Sequence, residues 1–349
     1  MKPRSLMDVG GAVALAMAPI LPFAAFATMA PLAAYTTALA LFGLPHVLSE
    51  LRYVDRRFGR RLSLSYLAPI AALLAVIVAA RACVVFGAAP AKVGAPVELG
   101  AGAMLALVCA RGDWTPRAYA SRAWTRKAVA LSVAGAIGGA TMIAPFATSV
   151  AVAILHNFTP LGFLWQIAPR AARPRVMAAA GFGLLLMPLL AAMGGAHLAL
   201  NALGSSPSAL DPLGAGPLAE HLGVYVLRPF LDGPRAVDFF TASMIAQGAH
   251  YLAVIVILPL LLGRLDPGAA GLVAWPRGVL FALLCAAVAA LALSPFFADF
   301  ARARAYYGLF AAVHAWIEVP VLILALTGGA RGESWRSCEG AAASAVHVG

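Results

Sequence analysis

Residues 42–61 read FGLPHVLSELRYVDRRFGRR. The apolar run that reaches this point from about residue 34 ends in Arg52, Arg56, Arg57, Arg60 and Arg61. About 20 apolar residues suffice to cross the hydrocarbon core of a bilayer. Cations crowding the end of such a run mark a span leaving the membrane on its cytoplasmic side. This span also carries His46 and Glu50, four apart, just before it exits. Two metal-capable side chains at that place need a reason.

The same punctuation recurs along the chain. It is 62% hydrophobic and 11% charged over 349 residues, with a mean hydropathy of +0.88. Soluble domains carry about 25% charged residues. The expected fold is therefore all-α, a polytopic membrane bundle of about ten transmembrane helices. The spans read roughly 9–32, 34–52, 64–87, 93–110, 126–147, 148–168, 175–200, 236–263, 275–297 and 303–328. The run after MKPRS lacks a polar cleavage region and leads straight into another span, so it reads as a retained helix. The domain reading is a single membrane unit, 1–328, with a flexible cytoplasmic tail, 329–349.

The net charge of +11 does not point to nucleic acid. The cations sit in short connections, Arg52 to Arg61, Arg111 to Lys127 and Arg170 to Arg175, as the positive-inside pattern requires, where anionic lipid headgroups are also in reach. An even number of spans places both termini in the cytoplasm, across an inner (cytoplasmic) membrane. Arg302 and Arg304, in SPFFADFARARAYY, fit that orientation poorly. The long connection 201–235, rich in Pro and Gly, should face outward, and LAEHLGVYVLRPFL within it reads as a short interfacial helix. Cys83, Cys109, Cys285 and Cys338 show no CxxC spacing and read as small buried side chains.

Of seven histidines, His347 falls in the tail, His221 in the long loop and His197 near a span end. The other four lie inside spans: His46, His156, His250 and His314. All four spans run in the same direction, so the rings can meet at one depth. His46 with Glu50 and His314 with Glu318 are both H-x-x-x-E. Residues i and i+4 share a helix face about 5–6 Å apart. A carboxylate there can join a metal or take the second imidazole proton and fix the tautomer. A carboxylate near the bilayer centre costs about 2.5–3.5 kcal/mol on insertion scales, so Glu318 needs a cationic partner. Each histidine alone could simply bond a neighbouring helix. Four together, beside Asn157, Gln247 and Tyr251, fit one metal site better, with Glu50, Glu318, Tyr251 and Asn157 as candidate catalytic or supporting groups. His46, six residues before Arg52, sits shallower than the rest unless its helix continues past the membrane surface.

Imidazole serves zinc, copper, iron and nickel alike. A closed four-histidine zinc site would be inert, whereas iron(II) with open positions can bind dioxygen beside a lipophilic substrate. GLPHVLSE, residues 43–50, resembles the G-[IL]-P-H-G-x-x-D signature of the Brp/Blh-type family of membrane β-carotene-cleaving dioxygenases. His46 takes the place of the motif's histidine and Glu50 that of its acid, while the glycine after the histidine is Val47. The resemblance implies a multi-span fold, histidine-held non-haem iron, and a carotenoid or isoprenoid-like substrate reacting with dioxygen. Two other classes stay open: a b-type haem electron carrier, and a metal-ion transporter, zinc being another possible ion. A retinal photoreceptor needs a mid-membrane lysine, and Lys2, Lys92 and Lys127 lie at span ends. The clustered H-x-x-x-H motifs of membrane desaturases do not occur.

Overall fold

The computed structural model describes residues 3–111 and 123–327. The tail 329–349 and most of the cationic loop between Arg111 and Lys127 lie outside the described residues. Every regular element among those described is helical. In chain order these are α1 (Pro3–Met17), α2 (Ile20–Met29), α3 (Pro31–Phe58), α4 (Leu64–Val85), α5 (Ala91–Val108), α6 (Ala123–Ile143), α7 (Pro145–His156), α8 (Thr159–Ile167) and α9 (Arg173–Gly181). There follow α10 (Met187–Ala192), α11 (Gly195–Ala202), α12 (Ala219–Leu222), α13 (Ala236–Leu252), α14 (Leu258–Leu265), α15 (Val279–Ala298) and α16 (Phe300–Thr327).

Nine stretches among the described residues have the length and hydropathy to cross a membrane. The chain is a multi-pass membrane protein. The tenth expected span is α6, helical over 21 residues but diluted by Arg126, Lys127 and three glycines, and it is not among the nine. Span 34–52 is longer than expected. At 28 residues α3 extends about 42 Å at 1.5 Å per residue, past an apolar core of about 30 Å. The shallow placement of His46 relative to Arg52 follows from that overhang.

Prolines shape the spans. Pro31 and Pro145 open α3 and α7, where a missing N–H costs nothing. Pro188 and Pro259 instead fall inside continuous spans, and each follows a π-helical turn, Phe182–Leu186 and Ala253–Ile257. A proline ring collides with the carbonyl four residues back. The wider i→i+5 turn absorbs that collision without ending the helix.

Burial sorts centre from periphery. The α3 span is 72% buried and the α13–α14 span 67%, against 11% for α4 and 17% for α15. α4 and α15 present their apolar residues outward, as lipid-facing helices do. α16 contributes to all three apolar clusters, through Val321, through Ala312 and Trp316, and through Ile323 and Leu324. The bundle is built around α3, α13 and α16.

The cationic patch that ends α3 grips another loop. Arg56 Nε donates to Ala269 O at 3.0 Å, Arg60 Nε to Gly271 O at 2.8 Å, and Arg57 Nη1 to Asp266 Oδ2 at 2.9 Å. Between them the Asp55 carboxylate accepts from Leu272 N, Val273 N and Trp275 Nε1 at 2.9–3.0 Å.

The 201–235 connection is more ordered than its composition suggests. The expected interfacial helix is reduced to the four residues of α12 and a 3-10 turn at Arg228–Phe230. Asp211 accepts the amides of Ala215 and Gly216, both at 2.9 Å. His221 is buried, with Nε2 facing Ala215 O at 3.0 Å. Arg304 reaches Tyr35 Oη and His221 Nδ1, each at 3.3 Å. That explains one of the two arginines that fit the charge pattern poorly: Arg304 holds the long loop to α16.

Candidate metal centre

His46 comes from α3, His156 from the last residue of α7, His250 from α13 and His314 from α16. They are far apart in sequence, yet one ring nitrogen of each lies within 4.8 Å of those of the other three. His46 Nε2 is 2.9 Å from His314 Nε2, and His156 Nε2 is 3.1 Å from the same atom. His46, His250 and His314 are 0–2% exposed, and the His156 side chain is 15% exposed.

Local chemistry fixes which nitrogens face inward. His46 Nδ1 donates to Phe42 O at 3.2 Å, one turn back on its own helix. His156 Nδ1 donates to Glu318 Oε2 at 2.5 Å, and Thr159 Oγ1 donates to Glu318 Oε1 at 2.8 Å. A neutral imidazole with Nδ1 protonated has a bare lone pair on Nε2. Two such lone pairs, those of His46 and His156, converge on His314 Nε2, which has at most one hydrogen to offer them. No well-formed hydrogen bond reaches either nitrogen of His250, nor either oxygen of Glu50. Buried polar atoms of a native interior are normally partnered. A cation at the convergence point would take one nitrogen from each ring, and a ligating histidine whose other nitrogen donates to a carbonyl or carboxylate, as in His46 and His156, is the common arrangement at metal sites.

The carboxylates serve other helices than their own. Glu318 pairs with His156, not with His314 four residues before it. Glu50 stands 3.7 Å from His250 Nε2, not beside His46. Each H-x-x-x-E motif therefore places one ring and one carboxylate at the centre, but their partners come across the bundle. A break in the helix aids this. α7 ends at His156 and α8 begins at Thr159, so the Thr159 hydroxyl turns to Glu318 as well as to His156 O at 2.7 Å.

Tyr251 lies against His46, ring centres 4.3 Å apart and planes 32° from parallel, and its hydroxyl accepts from Gln247 Nε2 at 2.5 Å. It holds the His46 ring in place. Asn157 donates Nδ2 to Ala153 O at 3.3 Å, along its own chain. Gly248 is where α2 comes close: a Cβ there would meet Phe23 Cε1 at 2.2 Å.

Two polar groupings escaped the sequence reading. Arg81 and Glu98 form an ion pair between α4 and α5. Their signal was a single opposite charge in each of two adjacent spans. His197 donates Nδ1 to Asp238 Oδ1 at 2.5 Å; both line a cavity of about 970 Å³ under the 201–235 loop, which none of the four clustered histidines touches.

Fold and site together define a class: a multi-pass helical membrane protein with a buried four-histidine cluster suited to a metal ion. Comparison with protein-family models, with curated proteins and with solved structures finds no match to this chain.

Proposed function

We propose that this chain is a membrane-embedded non-haem iron oxygenase acting on a lipid-soluble, carotenoid- or isoprenoid-like substrate, with the ion held by His46, His156, His250 and His314. One observation carries the reading: four imidazole nitrogens from four distant segments meet at one point, three of the rings buried and His156 partly exposed. The likeness of GLPHVLSE to the carotenoid-dioxygenase signature adds the reaction class.

Iron(II) bound there would supply the activation of dioxygen. The chain's own residues do the rest. Glu318 holds the Nδ1 proton of His156, with Thr159 anchoring the far oxygen of that carboxylate. Phe42 O holds the Nδ1 proton of His46, and Tyr251 packs on that ring. Glu50 brings negative charge next to His250, offsetting the charge of a cation. The apolar surround excludes bulk water, and an apolar substrate reaches the site from the bilayer.

Four imidazoles converging on one point, rather than facing one another in pairs, favour a bare ion over a haem.

The test is aerobic incubation of purified protein with vesicles containing β-carotene. The expected result is bleaching of the carotenoid by wild-type protein and none by His250→Ala. Equal carotenoid loss with both proteins, or none with iron-loaded wild type, contradicts the proposal.

A further inference from the structure

On the face of α16 opposite the histidine cluster lies a second set of polar contacts. Trp316 Nε1 donates to Glu98 Oε1 at 2.9 Å. Glu98 is gripped by Arg81, Nε to Oε2 at 3.0 Å and Nη2 to Oε1. Arg81 also donates Nη1 to Gly308 O at 2.8 Å, two turns up α16. The indole of Trp316 fills a notch at Gly102 of α5, where a Cβ would sit 2.0 Å from its Cζ3. α16 is thus tied to the α4–α5 pair at two points.

At 100° per residue, Trp316 points about 180° away from the mean direction of His314 and Glu318. A helix about 10–12 Å across carries its side-chain tips roughly 5–6 Å from the axis, so a turn of about 20° moves them ~2 Å. Metal and catalytic sites tolerate displacements of only about 0.5 Å. The hydrophobic burial of α16 is itself non-directional. A directional hydrogen bond and an indole in a fitted notch add a specific resistance to such a turn. An ionic pair within apolar spans is costly to place, which asks for a role beyond bulk.

We propose that Trp316, Glu98 and Arg81 are positioning residues for the metal centre: by gripping the far face of α16 they set its rotation, and so where His314 and Glu318 point. This rests on the metal reading above. Cobalt(II) is the probe, because its visible absorption reports ligand geometry without any substrate. The variants are Trp316→Phe, Gly102→Ala, their combination, and Glu98→Gln, which keeps an acceptor for the indole N–H.

Gly102→Ala is expected to shift the cobalt bands and weaken cobalt binding about 10–100-fold, as loss of a supporting contact does elsewhere. Trp316→Phe shifts the bands less. The double variant, with the notch relieved, returns to the Trp316→Phe level. Glu98→Gln keeps an acceptor for the indole but loses the ion pair with Arg81, and it shifts the bands in the same sense as Trp316→Phe. If Gly102→Ala does not fold, Trp316→Phe still decides. Wild-type bands and affinity in Trp316→Phe, with only a lower unfolding temperature, overturn the clamp and leave the metal reading standing. Wild-type protein that takes up no cobalt overturns both.

Discussion

Glu318 is held at both of its oxygens, by His156 and by Thr159. It lies inside a span, 1% exposed. Glu318→Gln keeps the shape but offers His156 an amide. Metal affinity is expected to fall about 10–100-fold, read by competition with a chelator of known affinity. Glu50 contrasts with it. Its oxygens have no hydrogen-bond partner, and burying such a group costs about 1–3 kcal/mol or more. Glu50→Gln is therefore expected to stabilise the metal-free protein while weakening metal retention. Opposite signs in the thermal unfolding of the metal-free form and in metal affinity check this; equal signs contradict a charge-balancing role. That His46, His156, His250 and His314 belong together was legible in the sequence, because intramembrane imidazoles in polar contexts are rare and the expected topology gave their spans one direction. The carboxylate pairings were not. The i, i+4 spacing fixes a common helix face, but which neighbouring ring a carboxylate meets depends on how α3, α7, α13 and α16 interlock.

Among the elements, α13 depends on a close approach. Gly248, two residues before His250, accommodates Phe23 of α2. Gly248→Ala is expected to cost about 1–3 kcal/mol through overpacking, and Phe23→Leu in the same chain should recover part of it. Thermal unfolding in detergent measures both. The end of α3 makes a separate prediction. Asp55→Ala leaves the amides of Leu272 and Val273 and the indole of Trp275 without their acceptor. Faster proteolysis within 266–275 is expected, with metal content unchanged, since the loop's hydrogen bonds run to the end of α3 and not to the four histidines. The spans themselves could be read from hydropathy. The overhang of α3 could not, because arginines at 52–61 mark a surface but do not end a helix. Nor could the Arg81–Glu98 pair, whose members lie 17 residues apart and meet only because α4 and α5 fold back on one another.

For the whole molecule, a bundle with lipid-facing α4 and α15 encloses α3, α13 and α16, and the four histidines gathered at its centre are the site proposed for one ion. Elemental analysis with an absorption spectrum of the detergent-purified protein tests that most directly. The expected result is a single iron per chain with no Soret band in wild type, and an iron content near zero in a folded His250→Ala variant. Wild-type protein free of metal, a Soret band, or a His250→Ala variant that keeps its full complement of iron would contradict it.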